Sequence, residues 1–503
     1  MRKLAIIDIG SNSVRLVLLI ISDKNSFRII DDQKVSARLA DGLAKNGYIK
    51  KERFDLGLKT VKVFKNLIDI HEIKDVLCIG TAALRRASNG AEFVKKVFDL
   101  YKIKIDVISG EMETFYDYCA VINSFDLEEG LLVDIGGGSI ELGLFENREL
   151  IHSTSIDYGA IDITQKFNLD KAVNSKDKKD FIKFYREIFS DLPWLDKAKG
   201  LPVIGVGGSI RNIGKIDRKQ IDYPLDLAHN YTILTQRVDK ICKDLQSKSV
   251  KERKKVPGLS KKRADIIVGA TSFINVLMKK LNSPYLAISG FGVREGLIYN
   301  YLLPKGKHLV DDVLVFSLMN SINNFGASLN HSKHIYFLAS SIFDKLSEIH
   351  KIPNHYLNTL KAAAYLHDIG MFIQYYQHQD HTFYMMLNSS INGLTQRELV
   401  MSTFIAANHR DKKCHTCDDS LLSILSKNEL QIKDTLTIIL KLAEALDRNQ
   451  VGLVENVDIK IREKSIIFSL ETIENPAIEI ESALNYKKLF KKHFNKNLIV
   501  KRA

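Results

Sequence analysis

Asp8-Ile9-Gly10-Ser11-Asn12-Ser13-Val14-Arg15-Leu16-Val17-Leu18 returns later in the same chain as Asp134-Ile135-Gly136-Gly137-Gly138-Ser139-Ile140-Glu141-Leu142-Gly143-Leu144. Each copy has an apolar run (Leu4 to Ile7; Leu131 to Val133), an Asp, a turn of small residues and a second apolar run. This pattern reads as strand, tight turn, strand. The recurrence marks the chain as internally duplicated. An Asp at a strand end, Asp8 or Asp134, offers a hard oxygen to Mg²⁺ or its water shell. The Gly and Ser residues that follow let backbone N–H groups approach phosphate oxygens with no Cβ in the way.

Two more glycine-rich segments lie downstream. Val203-Ile204-Gly205-Val206-Gly207-Gly208-Ser209 is an apolar run entering a small-residue turn, and Leu286 to Gly296 leads into a helix through Gly292-Val293-Arg294-Glu295-Gly296. Such turns form anion nests or helix N-terminal sites. With 503 residues the chain is long enough for about three domains. Its 45% hydrophobic and 26% charged residues, with 8 prolines, exclude wholesale disorder and fibrous repeats. The longest apolar run, Leu16 to Ile21, falls far short of the ~18 to 20 residues of a membrane helix. Asp8 also interrupts any secretory core after Arg2 and Lys3. Five cysteines, an odd number, fit a reducing compartment, and a cytoplasmic location without membrane contact is expected. A formal charge of +13 favours polyanionic partners.

Further motifs follow in order: Gly80-Thr81-Ala82-Ala83-Leu84-Arg85-Arg86-Ala87-Ser88-Asn89, then Ile108-Ser109-Gly110-Glu111-Met112-Glu113. Taken with the two turns, Gly205 to Ser209 and Gly292 to Gly296, this series resembles the exopolyphosphatase/guanosine pentaphosphate phosphohydrolase (Ppx/GppA) family of the actin-like ATPase superfold. The resemblance covers nearly the whole chain. It implies an α/β protein with duplicated actin-like (ASKHA, ribonuclease H-like) domains at residues 1–122 and 123–303 and a C-terminal all-α HD-like domain at 304–503. It further implies phosphates held between Ser11, Asn12 and Ser13 on one turn and Gly136, Gly137, Gly138 and Ser139 on the other, with Gly207, Gly208 and Ser209 nearby. The water-activating base it implies is Glu113. Met112 stands where the family carries a first acid, which leaves Glu111 as the other candidate.

The chemistry has its own requirements: an in-line water, charge neutralisation at the transferred group, and an acceptor for a proton. Arg15 and Arg85 can each present a guanidinium fork to phosphate. Asp8, Asp134 and Glu141 can hold Mg²⁺ or Mn²⁺. The expected activity is release of terminal orthophosphate from inorganic polyphosphate, from guanosine pentaphosphate to give the tetraphosphate, or from both, and family likeness implies a homodimer. An actin-like ATPase or kinase using the same cleft is the rival reading, and a non-catalytic polyanion-binding protein is the other.

After Leu303-Pro304-Lys305-Gly306-Lys307 a 3.6-residue period takes over, as in Ile335, Leu338, Ile342, Leu346 and Ile349, which predicts helices. His334, His367-Asp368 and Asp447 follow the order of a His, His-Asp, Asp metal set. That pattern resembles the HD phosphohydrolase domain and implies a second divalent metal, with imidazole and carboxylate suiting a transition ion. Cys414-His415-Thr416-Cys417 has the gap of a zinc knuckle but no second cysteine pair, so two unpaired loop thiols are expected. Basic stretches at Lys248 to Arg263 and Lys487 to Arg502 could track a polyanion leading from the cleft. They carry no readable nucleic-acid motif, and nucleic acid is not an expected partner.

Overall fold

The computed structural model describes residues 1–410 and 414–503. The first repeat folds as the hairpin β1 (Arg2–Ile9) and β2 (Val14–Ile21), extended by β3 (Phe27–Val35), β4 (Asp75–Gly80) and β5 (Asp106–Val107). The sheet order is β3-β2-β1-β4-β5. β1 to β3 run antiparallel, while β4 and β5 are parallel to β1. The second repeat builds β6 (Gly130–Ile135), β7 (Ile140–Glu146), β8 (Glu149–Ile156), β9 (Val203–Val206), β10 (Tyr231–Leu234) and β11 (Tyr285–Ile288). Its order is β10-β11-β9-β6-β7-β8, with the same directions along the five shared positions and an antiparallel β10 added at the edge. The duplication read from eleven residues therefore extends through both sheets. This is the duplicated actin-like α/β fold.

Strands β1, β2, β6 and β7 are buried on both faces and read as nearly unbroken aliphatic runs, as sheets covered on two sides require. Two helices exchange partners between the repeats. The helix Gly110–Ile122 follows β5, yet its Tyr118, Val121 and Ile122 pack on Leu132, Phe145 and Ile204 of the second sheet. The helix Val293–Leu302 follows β11, yet Leu297, Ile298 and Leu302 cover Leu4, Ile6, Val17 and Leu19 of the first. Where the two helices touch, a Cβ on Gly296 would lie 1.8 Å from the carbonyl oxygen of Tyr116. Contacts are dense throughout Met1–Val310, which forms one compact unit.

Asp311–Ala503 forms the second unit. Its core helices are Leu329–Lys345, Leu357–Leu366, Gln396–Ala407 and Lys427–Leu446. The expectation of an all-α domain is corrected: β12 (Val454–Ile461), β13 (Ser465–Thr472) and β14 (Asn497–Arg502) form a three-stranded sheet. In β13, Ile466, Phe468 and Leu470 are buried in alternation, but Ile467 on the outer face masks the two-residue period. The unpaired thiols are also corrected, because Cys414 and Cys417 form a disulfide, their Cα atoms 5.6 Å apart, a separation that suits the bond. Among the described residues no helix is long and apolar enough to cross a membrane.

The basic stretches divide. Arg253 is fully buried and donates to the carbonyls of Leu245, Leu169 and Lys171, a structural task rather than a place on a track. Lys487, Lys488, Lys491 and Lys492 lie on the solvated face of a helix, Lys487–Phe494, whose Phe490 and Phe494 are buried.

The Gly296 contact yields a direct test. Gly296→Ala is expected to cost about 1–3 kcal/mol, the usual range for overpacking, read as a lower urea midpoint for the Met1–Val310 unit.

Candidate active site

The two turns are built alike: Gly10 N–H donates to the Ser13 carbonyl at 3.1 Å, and Gly136 N–H to that of Ser139 at 3.0 Å. They face each other closely. A Cβ on Gly138 would lie 2.8 Å from Ser11 Oγ, and one on Gly137 would lie 3.3 Å from the Ser11 Cβ and 3.5 Å from that of Asn12. Between them opens a cavity of about 150 Å³, lined by Asp8, Ser11, Asn12, Ser13 and Arg15 from one turn and by Asp134, Gly136, Gly137 and Ser139 from the other. Gly207 and Gly208 close one side. Gly207 has φ +91°, and a Cβ there would meet Asp134 Oδ1 at 2.3 Å, so the position demands glycine.

Glu113 lines the same cavity. Its helix starts on Ser109, whose hydroxyl accepts from Met112 N–H at 3.2 Å. In that first turn Glu111 and Met112 face solvent while Glu113 is 8% exposed. Burial raises the Glu113 carboxyl well above its usual range, and the charges of Glu141 and Asp134 push it the same way, against Arg85. One helical turn on, Asp117 is wholly buried and raised likewise, by burial first and then by Asp134, Glu113 and Glu141. Asp134 and Glu141 stand opposite each other in the β6–β7 register. Burial lifts Asp134 to about 6 and, with the charge of Asp134, lifts Glu141 to about 8. Asp8, paired across the other hairpin with Arg15, is raised by burial as well.

Cations surround these acids. Arg15, Arg211, Arg263 and Arg294 all line the cavity. Arg263 crosses Gly208, where a Cβ would collide with its guanidinium at 2.0 Å, and donates to Ser209 Oγ at 3.2 Å. Arg211 donates to the carbonyls of Ser289 and Gly290, at 3.4 and 3.3 Å, and Arg294 pairs with Asp32 at 3.4 Å.

Several expected residues take other roles. Arg85 is absent from the lining: its Nη1 donates to the Ile108 carbonyl at 2.7 Å and lies 3.5 Å from Glu113 Oε2, so it steadies the acid. Gly138 and Ser209 stand behind the lining, the first accepting from Arg86 and the second from Arg263. Glu141 also lies behind it, its Oε1 accepting from Ser155 at 3.1 Å. Asp117, Arg211 and Arg263 were missed as site residues. Asp117 carried a signal, four residues after Glu113 on one helix face, and Arg211 lies two past Ser209. Arg263 was hidden in a run of surface lysines.

In the C-terminal unit His367 and Asp368 come together, but His334 is corrected. It is half-buried and stacks on Phe337, while His331, one turn earlier, faces His367 with ring centroids 5.2 Å apart. Asp447 accepts from His331 Nδ1 at 2.8 Å and so orients that ring instead of joining the inner set.

The two turns and the arginines converging between them make an anion-binding cleft on the actin-like scaffold. The chain belongs to the Ppx/GppA phosphatase family, whose pattern matches residues 19–305 and whose domain III matches 316–492. It is 26% identical over 410 residues, 81% of this chain and 80% of the relative, to the guanosine-5'-triphosphate,3'-diphosphate pyrophosphatase of Pseudoalteromonas translucida. It is 31% identical over 299 residues to the bifunctional 3-dehydroquinate synthase/phosphatase of Fusobacterium nucleatum, covering 57% of this chain and 44% of that protein. The chain thus spans less than half the length of that relative. Among solved structures, the Aquifex aeolicus Ppx/GppA family member superposes with a TM-score of 0.52 at 26% identity, over 60% of this chain and 98% of that one. An exopolyphosphatase from Cytophaga hutchinsonii shares the fold, with a TM-score of 0.57 at 23% identity over 60% and 98% of the two chains.

The raised acids give a stability test. With Glu141 at about 8 when folded against 4.5 ordinarily, the folded chain binds the extra proton between those values, so this site's contribution falls as pH rises through that window. In chelator, Glu141→Gln is expected to raise Tm at pH 8 relative to wild type, with the gap shrinking toward pH 5.

Proposed function

We propose that the cleft removes the terminal orthophosphate from a phosphoanhydride, with Glu113 as general base. The reading rests above all on one observation: Glu113 is buried in a cavity where two phosphate-sized turns and four arginines converge. The anion's oxygens meet the turn N–H groups and the guanidinium forks. Glu113, held by Arg85, takes a proton from the attacking water as the new P–O bond forms and the anhydride P–O bond breaks. The electron pair leaves with the shortened phosphate chain.

The same cleft offers hard oxygens to a divalent ion. Among the described residues both Asp117 oxygens, Asp134 Oδ1 and Glu141 Oε2 are buried without hydrogen-bond partners, and carboxylate oxygens suit a hard cation. Asp8, Asp117, Asp134 and Glu141 are the residues that would hold Mg²⁺ or Mn²⁺, whose chemistry there is neutralisation of phosphate charge.

Inorganic polyphosphate and guanosine pentaphosphate both present the required end, and a homodimeric cytoplasmic enzyme is part of the proposal. One feature favours the nucleotide. A neighbouring cavity of about 380 Å³ shares Asn12 and Ile266 with the cleft and is lined by Asp41, Gln165, Asn168, Asp170 and Asp265. Arg38 also lines this cavity and pairs with Asp265, while Arg53 and Lys50 hold Asp41, so Asp170 is the carboxylate placed to accept from the N–H edge of guanine.

Glu113→Gln is expected to lower kcat for orthophosphate release about 10²- to 10⁴-fold with KM little changed. Hydrolysis of ATP alone, with both proposed substrates untouched, would overturn the reading in favour of an actin-like ATPase. Asp170→Asn is expected to reduce kcat/KM several-fold for guanosine pentaphosphate and leave polyphosphate unaffected, measured side by side.

A further inference from the structure

The disulfide between Cys414 and Cys417 closes a loop at the surface of the C-terminal unit. Cys414 is 5% exposed, Cys417 is half-buried, and His415 and Thr416 between them are exposed. The other three cysteines, Cys78, Cys119 and Cys242, are buried free thiols, and burial raises each above its usual range. Thiols so enclosed are inert. The sulfur chemistry that solvent reaches is therefore that of the Cys414–Cys417 pair.

A bond closing so short a loop gives the least stabilisation that a cross-link can give. The loop is also held without it. His415 N–H and Thr416 N–H both donate to Asp380 Oδ1, at 2.5 and 3.1 Å, and Thr416 Oγ1 donates to the Asp380 carbonyl at 3.3 Å. Asp380 is 7% exposed and sits in the first turn of the helix His378–Asn388. These bonds keep the two cysteines side by side whether or not the sulfurs are joined, as exchange in both directions requires. Two cysteines separated by two residues are also the spacing that lowers a thiol's pKa and makes it reactive.

A cavity of about 490 Å³ opens beside the bond, lined by both cysteines and by Asn408, Asp419, Lys441 and Lys492, within the size range of small-molecule pockets. Lys433 lines it too but is paired with Asp434 at 2.6 Å. Lys441 donates to the Arg410 carbonyl and lies 5.2 Å from the Tyr486 ring centre. Lys492 is exposed and, among the described residues, has no hydrogen bond or ion pair. An uncommitted ammonium beside a disulfide suits a carboxylate on an incoming thiol, and Asp419 suits an amine on the same molecule.

We propose that Cys414 and Cys417 form a reversible thiol–disulfide exchange site, and that the cavity beside them takes a small thiol bearing carboxylate and amine groups, of which glutathione is the probe. The incoming thiolate bonds to the sulfur of Cys417, the more exposed of the pair, and the S–S bond breaks. Its electron pair stays on Cys414, which takes a proton from solvent. A second thiolate then attacks the small-molecule sulfur of the mixed disulfide, and the electron pair leaves on Cys417, which is protonated in turn. The two small thiols are oxidised to their disulfide, and the chain gains two electrons and two protons. In a reducing compartment a bond of this kind is one state of the chain rather than a fixed part of it. The cleft containing Glu113 takes no part in the exchange.

The test uses the full chain, equilibrated in buffers of rising ratio of reduced to oxidised glutathione and quenched with a maleimide-polyethylene glycol, with tagged thiols counted by gel shift. Two tags are expected to appear together across one transition, with Cys78, Cys119 and Cys242 untagged until the chain is denatured. Treated with oxidised glutathione, Cys414→Ser is expected to carry one glutathione by intact-mass spectrometry and Cys417→Ser none. Lys492→Ala is expected to slow reduction by glutathione about two- to fivefold and to leave the rate with uncharged 2-mercaptoethanol unchanged, a difference that a merely structural lysine would not produce. A bond that stays closed at every glutathione ratio while the chain is folded, two thiols that stay free in oxidised glutathione alone, or an adduct on Cys414 in place of Cys417 overturns the exchange site. Equal rates for Lys492→Ala and wild type with glutathione, or equal slowing with both thiols, overturns the role of the cavity.

Discussion

The central constraint is the burial of like charge. Glu113, Asp117, Asp134 and Glu141 converge where the two repeats meet; burial raises each of them, and neighbouring carboxylate charge adds to it. Such a cluster is costly unless countercharge or metal compensates it. The duplicated hairpins supply its geometry, since β1–β2 and β6–β7 each end in an acid and a turn. The exchange of helices Gly110–Ile122 and Val293–Leu302 between sheets brings Glu113 and Asp117 against the second repeat while they remain part of the first in sequence. Function and fold therefore depend on the same contact. Glycines at 207, 208 and 296 permit the close approaches that larger residues would block.

What was legible in the sequence was local. A strand, an Asp and a glycine turn repeated once carry their period and their chemistry within eleven residues, so the paired sheets and opposed turns followed from them. Glu113 was also reachable, through its motif, and burial separates it from Glu111. The arginine ring was less so. Arg263 comes from a lysine-rich segment that reads as solvated surface, and only tertiary packing turns it inward over Gly208. Arg85 stands back from the cavity lining for the same kind of reason: its Nη1 reaches the carbonyl of Ile108 and the acid of Glu113.

The C-terminal unit shows a similar limit. His331 and His334 are three residues apart on one helix, so periodicity gave both nearly the same face. The distinction comes from Asp447, which grips His331 and aims it at His367. His378, His409 and Glu444 had no spacing that linked them to His367 and Asp368, because separate helices carry them. The small sheet was hidden by Ile467, and the Cys414–Cys417 bond by the absence of any second pair that would have raised a question about it.

The most direct measurement is a crystal structure of the Glu113→Gln chain with Mg²⁺ and tripolyphosphate. The account expects the terminal phosphate between residues 11–13 and 136–139, with Arg211 and Arg263 on its oxygens and residue 113 facing the terminal phosphorus. An anion bound elsewhere on an otherwise empty cleft, or residue 113 turned away from the terminal phosphorus, would contradict it.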